Sequence, residues 1–471
     1  MHGPVLKQAA ISDSETLNAR YTGLICAVAA LGGLLFGYDY VVIGGAKPFY
    51  EAYFRLTTST QIGWANSCAL LGCLAGSIVS GAASDRFGRK KLLLLAAILF
   101  AGSSVFTGLA HSIDQFIVAR ILGGAAIGIA SNVSPTYIAE VSPAAWRGRL
   151  VSLNQLTIVV GILGAQIVNL LIAERVPAGA TAEMIRASWN GQWGWRWMFI
   201  AVGAPSLLFL LSALFVPESP RWQLLHGERA RARATFARIG GASYAQAAVE
   251  TVEATESELA AAPKGAYFGA FRRVLLVGVV LAVLQQWSGI NVIFNYAEEI
   301  YRSAGYGVND ILFNIVVTGA VNLLFTFIAL RTVDRWGRRP LMLAGCAAIA
   351  ISHVLIGSAY HFGLRGWPVL VFTLLTIGCY AMSLAPVTWV IISEIFPTQI
   401  RGAGVAISVS ALWIACFLLT FTFPMLQQGL GAAGTFWVYA LICAAGFFFV
   451  RARVPETKGK TLEQIEKELN A

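Results

Sequence analysis

Charge is scarce in this chain. Of its 471 residues only 12% are Asp, Glu, Lys or Arg, whereas 57% are hydrophobic. Soluble domains carry about 25% charged and about 45–50% apolar residues, so this composition cannot cover a body of this size in water. Histidine is rarer still, with five residues, and no Cys or His grouping has the spacing of a metal site. The seven cysteines (Cys26, Cys68, Cys73, Cys346, Cys379, Cys416 and Cys443) all fall inside apolar runs. A disulfide framework puts its cysteines in loops, so these read as small buried hydrophobes. No metal and no cofactor is expected. Met1–Arg20 is polar and lacks the apolar stretch of a cleavable signal peptide, which leaves the first apolar run as the insertion signal.

What is present is a series of long apolar runs. A bilayer-crossing helix needs about 20 apolar residues, so twelve need about 240, roughly half the chain. Runs bounded by charge lie near 21–46, 62–84, 92–110, 114–138, 150–173 and 196–216, then near 270–297, 309–333, 341–361, 367–393, 403–427 and 435–453. The one long polar stretch, Pro217–Gly269, holds amphipathic segments at Glu228–Ile239 and Tyr244–Ala262. The expected organisation is an all-α membrane protein with a tail (1–20), a six-helix bundle (21–216), an intracellular helical segment (217–269), a second six-helix bundle (270–453) and a second tail (454–471).

The formal net charge of +10 would suggest nucleic acid if it formed a basic face on a soluble domain. It does not. Most basic residues sit in short clusters on the side that carries both tails, while Lys47, Arg55, Arg175, Arg186, Arg196, Arg302 and Arg365 fall on the other. The positive-inside rule makes the heavy side cytoplasmic. The chain is therefore expected in the cell (inner or plasma) membrane, both termini cytoplasmic, with the lipid bilayer and not nucleic acid as its partner.

The two halves repeat each other. Asp85-Arg86-Phe87-Gly88-Arg89 after the second run matches Asp334-Arg335-Trp336-Gly337-Arg338 after the eighth. Glu140 with Arg147-Gly148 matches Glu394 with Arg401-Gly402, and Pro217-Glu218-Ser219 matches Pro455-Glu456-Thr457. Such a duplication marks a carrier built from two bundles, with its substrate held between them near the bilayer midplane.

These loops, together with PESPRW (217–222), QQWSGIN (285–291) and PETKGKTLEQ (455–464), resemble the sugar porter family of the major facilitator superfamily, from about residue 23 to 465. The resemblance implies twelve transmembrane helices in two pseudo-symmetric bundles and transport of a monosaccharide by alternating access, with no enzyme activity, by a chain working as a monomer.

Asp39 and Arg120 are the acid and the base placed deep in apolar runs. A charge at a helix centre costs about 2.5–3.5 kcal/mol on insertion scales, so it needs a partner or a task. Opposite charges in one apolar bundle are expected to seek each other, and a carboxyl that gains and loses a guanidinium partner can bind and release a proton. Proton-coupled members of the family carry an acid and an arginine in matching places, and the facilitative glucose carriers of animals lack the acid. Asp39 thus favours proton symport over uniport. A non-transporting receptor on the same fold is the further alternative.

A sugar wants amides, which both donate and accept, and aromatic faces. Gln155, Gln285, Gln286, Asn291 and Asn322, with Trp389 and Trp413, resemble the family's sugar site. The chain departs from it at Ile162, Asn295, Ala385, Leu412 and Cys416, and the last two are expected to remove polar contacts. By resemblance, Asp85, Arg86, Arg89, Glu140, Arg147 and Glu218, with Asp334, Arg335, Arg338, Glu394, Arg401 and Glu456, form gating networks at the cytoplasmic helix ends. Gly72/Gly76 and Gly124/Gly128 permit close helix approach. Pro386 and Pro424 are candidate helix breaks, and His353 reads as a buried polar residue rather than a proton carrier.

Overall fold

The computed structural model describes residues 17–177, 179–261, 272–396 and 401–458. Its first half holds α1 (Ala19–Phe54), α2 (Ser59–Phe87), α3 (Arg89–Gly108), α4 (Ile113–Val141), α5 (Ala144–Ile172), the short α6 (Ala182–Ala187), a π-helical turn (Asn190–Gly194), α7 (Trp195–Ile200) and α8 (Gly203–Ala213). Next come α9 (Pro220–Leu225) and α10 (Arg229–Ala261). The second half holds α11 (Arg272–Trp287), α12 (Ile290–Asn295), α13 (Ala297–Ser303), α14 (Val308–Trp336), α15 (Arg338–His361), α16 (Trp367–Met382), α17 (Leu384–Ile395) and α18 (Arg401–Arg453).

Among the described residues, 11 helical stretches are long and apolar enough to cross a membrane. The last folds back at Gly431, whose φ of 69° is readily adopted only by glycine. It therefore makes two passes, which gives twelve among the described residues.

Local chemistry fixes the ends. A capping box of Thr58 and Gln61 opens α2, and the Ser112 hydroxyl accepts from the Gln115 amide at the start of α4. The turns into α3 and α15 are built alike, on Gly88 with φ 96° and Gly337 with φ 91°. Beside each turn a carboxylate stands so close that a Cβ would collide with it, Glu218 at the first and Glu456 at the second.

Packing follows from small residues. A Cβ at Gly72 or Gly76 would strike the carbonyls of Ile121 or Ala125 on α4, and one at Gly124 or Gly128 those of Ala69 or Cys73 on α2. Both small-residue pairs face each other, so α2 and α4 pack backbone to backbone. The halves meet where α5 lies on α14 and α2 on α18.

Three features depart from the sequence reading. Pro424 sits inside α18 without interrupting it; the interruption falls at Gly431. Pro386 lies in the first turn of α17, where proline is tolerated, and the break itself is at Ser383, between α16 and α17. The run at 270–297 is not one helix, since it breaks at Gly289 (φ 85°) and again at Tyr296. Within α10 the chain kinks at Gly240–Gly241. This segment docks on the first half: the Asn18 amide donates to the Ile239 carbonyl at 2.7 Å, the Arg238 guanidinium lies over the Tyr21 ring, and Trp222 Nε1 donates to the Asp85 carbonyl at 2.8 Å.

Candidate functional site

Asp39 on α1 and Arg120 on α4 are both buried, at 2% and 3% exposure, and they meet. Arg120 Nη1 donates to Asp39 Oδ1 at 2.7 Å, and Nη2 donates to the Asp39 backbone carbonyl at 3.1 Å. The guanidinium also lies 5.3 Å from the centre of the Phe199 ring, so a cation–π contact supports it where water is excluded. Asp39 Oδ2 is buried without a hydrogen-bond partner. A Cβ at Gly123 would lie 3.2 Å from that oxygen and 3.0 Å from Ser103 Oγ, so the glycine gives the free oxygen more room than a larger residue would. One carboxylate oxygen is thus saturated by charge and the other is left as an open acceptor.

The amides form a chain around the break in the seventh run. Gln285 Nε2 donates to the carbonyls of Leu384 and Ala385 at 3.1 and 3.2 Å, where α16 and α17 separate. Gln286 Nε2 donates to Gln285 Oε1 at 3.3 Å, and Asn291 Nδ2 donates to Gln286 Oε1. Asn291 Nδ2 also lies 3.5 Å from Cys416 Sγ. The Cys416 thiol is 3.3 Å from the Tyr40 hydroxyl, which accepts from Asn295 Nδ2 at 3.4 Å. The chain of polar groups therefore runs from α11 and α12 through α18 to Tyr40 on α1, which belongs to the other half.

Tyr40, Asn295 and Cys416 complete this chain; the sequence reading names Asn295 and Cys416 only as departures from the family's site and does not name Tyr40. Cys416 is a correction: it does not remove the polar contact of its position but replaces it with a weak sulfur one. Leu412 is buried at 4% and apolar. Trp413 is buried, its ring 5.9 Å from Phe36, and its Nε1 has no partner. Asn322 on α14 is buried, Gln155 on α5 is half-buried and Trp389 on α17 is 40% exposed.

His353 on α15 holds the break from behind. The break leaves the Ser288 carbonyl outside a regular helix, and His353 Nε2 donates to it at 2.7 Å. That bond fixes the imidazole proton on Nε2. The ring is fully buried between Phe436 and Tyr439.

At the face bearing the Gly88 and Gly337 turns, the repeated motifs build repeated geometry. Glu218 accepts from the amides of Arg89 and Lys90 at 2.8 and 3.1 Å, capping α3. Glu456 does the same for Arg338 and Arg339 at 3.0 and 3.1 Å, capping α15. A carboxylate at a helix N-terminus satisfies orphan amides and meets the positive end of the dipole. Arg89 pairs with Glu140 at 3.0 Å and with Asp85 at 3.1 Å, and Arg338 lies 3.5 Å from Glu394. All of these pairs stay within one half. Arg147 Nε donates to the Ala139 carbonyl, Arg86 lies over the Phe87 ring, and the Arg335 carbonyl accepts from Lys458. The side chains of Asp334 and Arg401 lie outside the described residues.

At the opposite face the halves are joined. Lys47 on α1 reaches Glu298 and Glu299 on α13. Ser59 Oγ donates to Gln428 Oε1 at 2.7 Å, and Asn309 Nδ2 donates to the Val176 carbonyl at 3.0 Å. The sequence counts Lys47 among the basic residues on the side opposite the tails, just past the first apolar run, and it is 1% exposed inside α1.

Residues 25–469 match the family model described as sugar (and other) transporter. The chain is 37% identical over 481 residues to the D-xylose-proton symporter of Escherichia coli (strain K12), covering 95% of this chain and 96% of that protein. It is 38% identical over 446 residues to the arabinose-proton symporter of Bacillus subtilis (strain 168), covering 94% of each, and 39% identical over 467 residues to the glucose transport protein of Synechocystis sp., covering 96% and 98%. Among solved structures, a partially occluded inward-open conformation of the E. coli xylose transporter XylE superposes with a TM-score of 0.83 at 35% identity, covering 94% of this chain and 99% of that one. XylE bound to 6-bromo-6-deoxy-D-glucose gives 0.80 at 36% identity, covering 96% and 100%. On sequence and fold together, this chain belongs to the sugar transporter family of the major facilitator superfamily.

Proposed function

We propose that this sugar transporter is a proton-coupled monosaccharide symporter working by alternating access. The observation that carries the reading is the buried Asp39–Arg120 pair, with one carboxylate oxygen held by the guanidinium and the other unpartnered. In a dry site the ionised carboxylate depends on that guanidinium. Any movement of α1 against α4 that draws the charges apart leaves the carboxylate without its counter-charge in a dry site, and a proton is the group that can take the guanidinium's place there. Proton binding is then tied to a helix movement. The relatives named as proton symporters for xylose and arabinose support the same reading.

The residues assigned to the sugar are Gln155, Gln285, Gln286, Asn291 and Asn322, with Trp389 and Trp413; the hydrogen-bonded chain of Gln285, Gln286 and Asn291 supports this assignment. Amides that now bond one another exchange those bonds for sugar hydroxyls, and the indoles take the C–H faces. The face with the repeated glycine turns is cytoplasmic on the distribution of basic residues. The Arg89–Glu140, Arg89–Asp85 and Arg338–Glu394 pairs there each lie within one half, while the other mouth is joined across the halves, which supports an inward-facing state. When the carrier faces outward, the charges of these loops exchange partners within a half for partners across the halves, and so close the cytoplasmic side.

The test is accumulation in energised membrane vesicles, with and without a protonophore. Symport predicts uphill accumulation that the protonophore abolishes and that Asp39→Asn lacks, while the variant still exchanges sugar. Accumulation that survives Asp39→Asn contradicts the reading, and equilibration without accumulation in the unaltered protein makes it a uniporter.

A further inference from the structure

We propose that Lys47 is a positioning residue of the transport cycle, its ammonium holding the two halves together at the mouth opposite the cytoplasmic face. The inference rests on the alternating-access reading above, and names the group that sets how long one of its two mouths stays shut.

The geometry is unusual for a lysine in an apolar bundle. Its side chain is 1% exposed, and three carboxylates surround it. Glu51 Oε1, one turn further along the same helix, lies 2.7 Å from Nζ. Glu298 Oε2 lies at 3.5 Å and Glu299 Oε1 is in direct contact; both belong to α13 in the other half. The Tyr296 ring covers the ammonium at 5.5 Å, and Tyr50 on α1 and Tyr439 on α18 are fully buried nearby. Arg302 on α13 pairs with the far side of Glu298. One turn before Lys47, a Cβ at Gly44 would lie 2.6 Å from the Phe294 carbonyl oxygen. The backbones of α1 and α12 are therefore in contact, and water has no room between them.

Two kinds of pair occur in this cluster, and they differ in what opening does to them. Lys47–Glu51 and Glu298–Arg302 are each one helical turn apart on a single helix, so they move as units with their own halves. Lys47–Glu298 and Lys47–Glu299 cross between halves, so opening must break them. Once it does, Lys47 keeps Glu51, Glu298 keeps Arg302, and Glu299, the most exposed of the three carboxylates at 19%, faces incoming water. No charge is stranded in a dry site. An ion pair is strong when desolvated and weak when wet, so the same bonds hold the closed mouth firmly and offer little resistance once water has entered.

The test is a distance measurement on the full chain in liposomes, using nitroxides on cysteines introduced at Thr57 and Gly429. Both sites are exposed, and a side chain at Gly429 meets nothing within 4 Å. The unaltered background should show one short distance as its main population. Lys47→Met, which keeps the length and removes the charge, should enlarge a longer-distance population at least severalfold, and Lys47→Arg should restore the short one. Glu299→Gln, which removes a single cross-half bond, should give an intermediate shift and stands in should Lys47→Met fail to reach the membrane. Sugar flux should fall in turnover more than in apparent affinity for Lys47→Met, as expected of a displaced equilibrium and not of a damaged sugar site. Unchanged distances in both Lys47→Met and Glu299→Gln overturn the proposal. That outcome is separate from the fate of the proton-coupling reading, because a failed Asp39→Asn test leaves these distances as they are.

Discussion

Arg120 and Asp39 stand on different helices, 81 residues apart in sequence, and meet at 2.7 Å with neither more than 3% exposed. A buried pair of this kind is a poor source of stability, because desolvation offsets most of its Coulomb attraction. Its cost is better understood as the condition for a task. Removing one partner strands the other's charge in a dry site, so neither residue is replaceable on its own.

The amide chain makes a prediction about affinity. Gln286 accepts from Asn291 and donates to Gln285, so Gln286→Ala unties its neighbours and removes the sugar contact proposed for it. Loss of one or two such bonds, about 1.4 kcal/mol or more, corresponds to about a tenfold rise in KM. Trp389→Ala should raise KM similarly by removing a stacking face. Uptake kinetics with whichever of xylose, arabinose, galactose or glucose competes best will check both, and unchanged sugar binding in both variants would remove the site assignment.

His353 should matter through the Ser288 carbonyl. His353→Leu leaves that carbonyl only the weak Cys443 thiol at 3.9 Å, a loss of about 1–3 kcal/mol for a buried polar group, and should loosen the break that presents Gln286 and Asn291. A lower Tm and a raised KM are expected. His353→Gln keeps an N–H in reach and should recover part of both. Since the proton already resides on the donating nitrogen, the pH profile of transport should be the same in His353→Gln as in the unaltered protein.

The glycine turns invite a stability measurement. Gly88→Ala places a Cβ at φ 96° and against the carboxylate of Glu218. Backbone strain of this kind costs about 1–3 kcal/mol, and the displaced carboxylate also loses its amides on α3. Thermal unfolding in detergent should show a clearly lower Tm than for Gly402→Ala, whose Cβ meets nothing within 4 Å. Equal melting temperatures would mean that the Glu218 cap contributes nothing.

Neutralising Glu140 or Glu394 should shift the carrier toward the form open on the cytoplasmic face, because each anchors an arginine of the repeated loop, Arg89 or Arg338. Cysteine accessibility from the cytoplasmic side should rise severalfold. No change would assign these pairs to local structure alone.

How much of this was legible in the sequence depended on rarity. Asp39 and Arg120 stand out because charge inside an apolar run is uncommon, and the structure pairs them. The paired glycines of α2 and α4 were equally plain, since spacing puts small residues on one helix face. Lys47 was not. It sits between Ala46 and Pro48 near the end of an apolar run, where a composition window sees an ordinary boundary charge; only the acids brought in by α13 bury it. The break at Gly289 is hidden for a related reason. Hydropathy reads composition, and Ser288–Gly289 scarcely lowers it. Pro424 misled in the opposite direction, since a long helix packed on its neighbours accommodates one proline.

The central claim is that sugar and proton cross together. The most direct measurement uses the purified chain in liposomes with a pH-sensitive dye inside, no imposed pH gradient, and sugar added outside. The account predicts that downhill sugar entry acidifies the lumen, and that Asp39→Asn lets sugar in without acidification. Sugar entry through the unaltered protein at constant internal pH would contradict it.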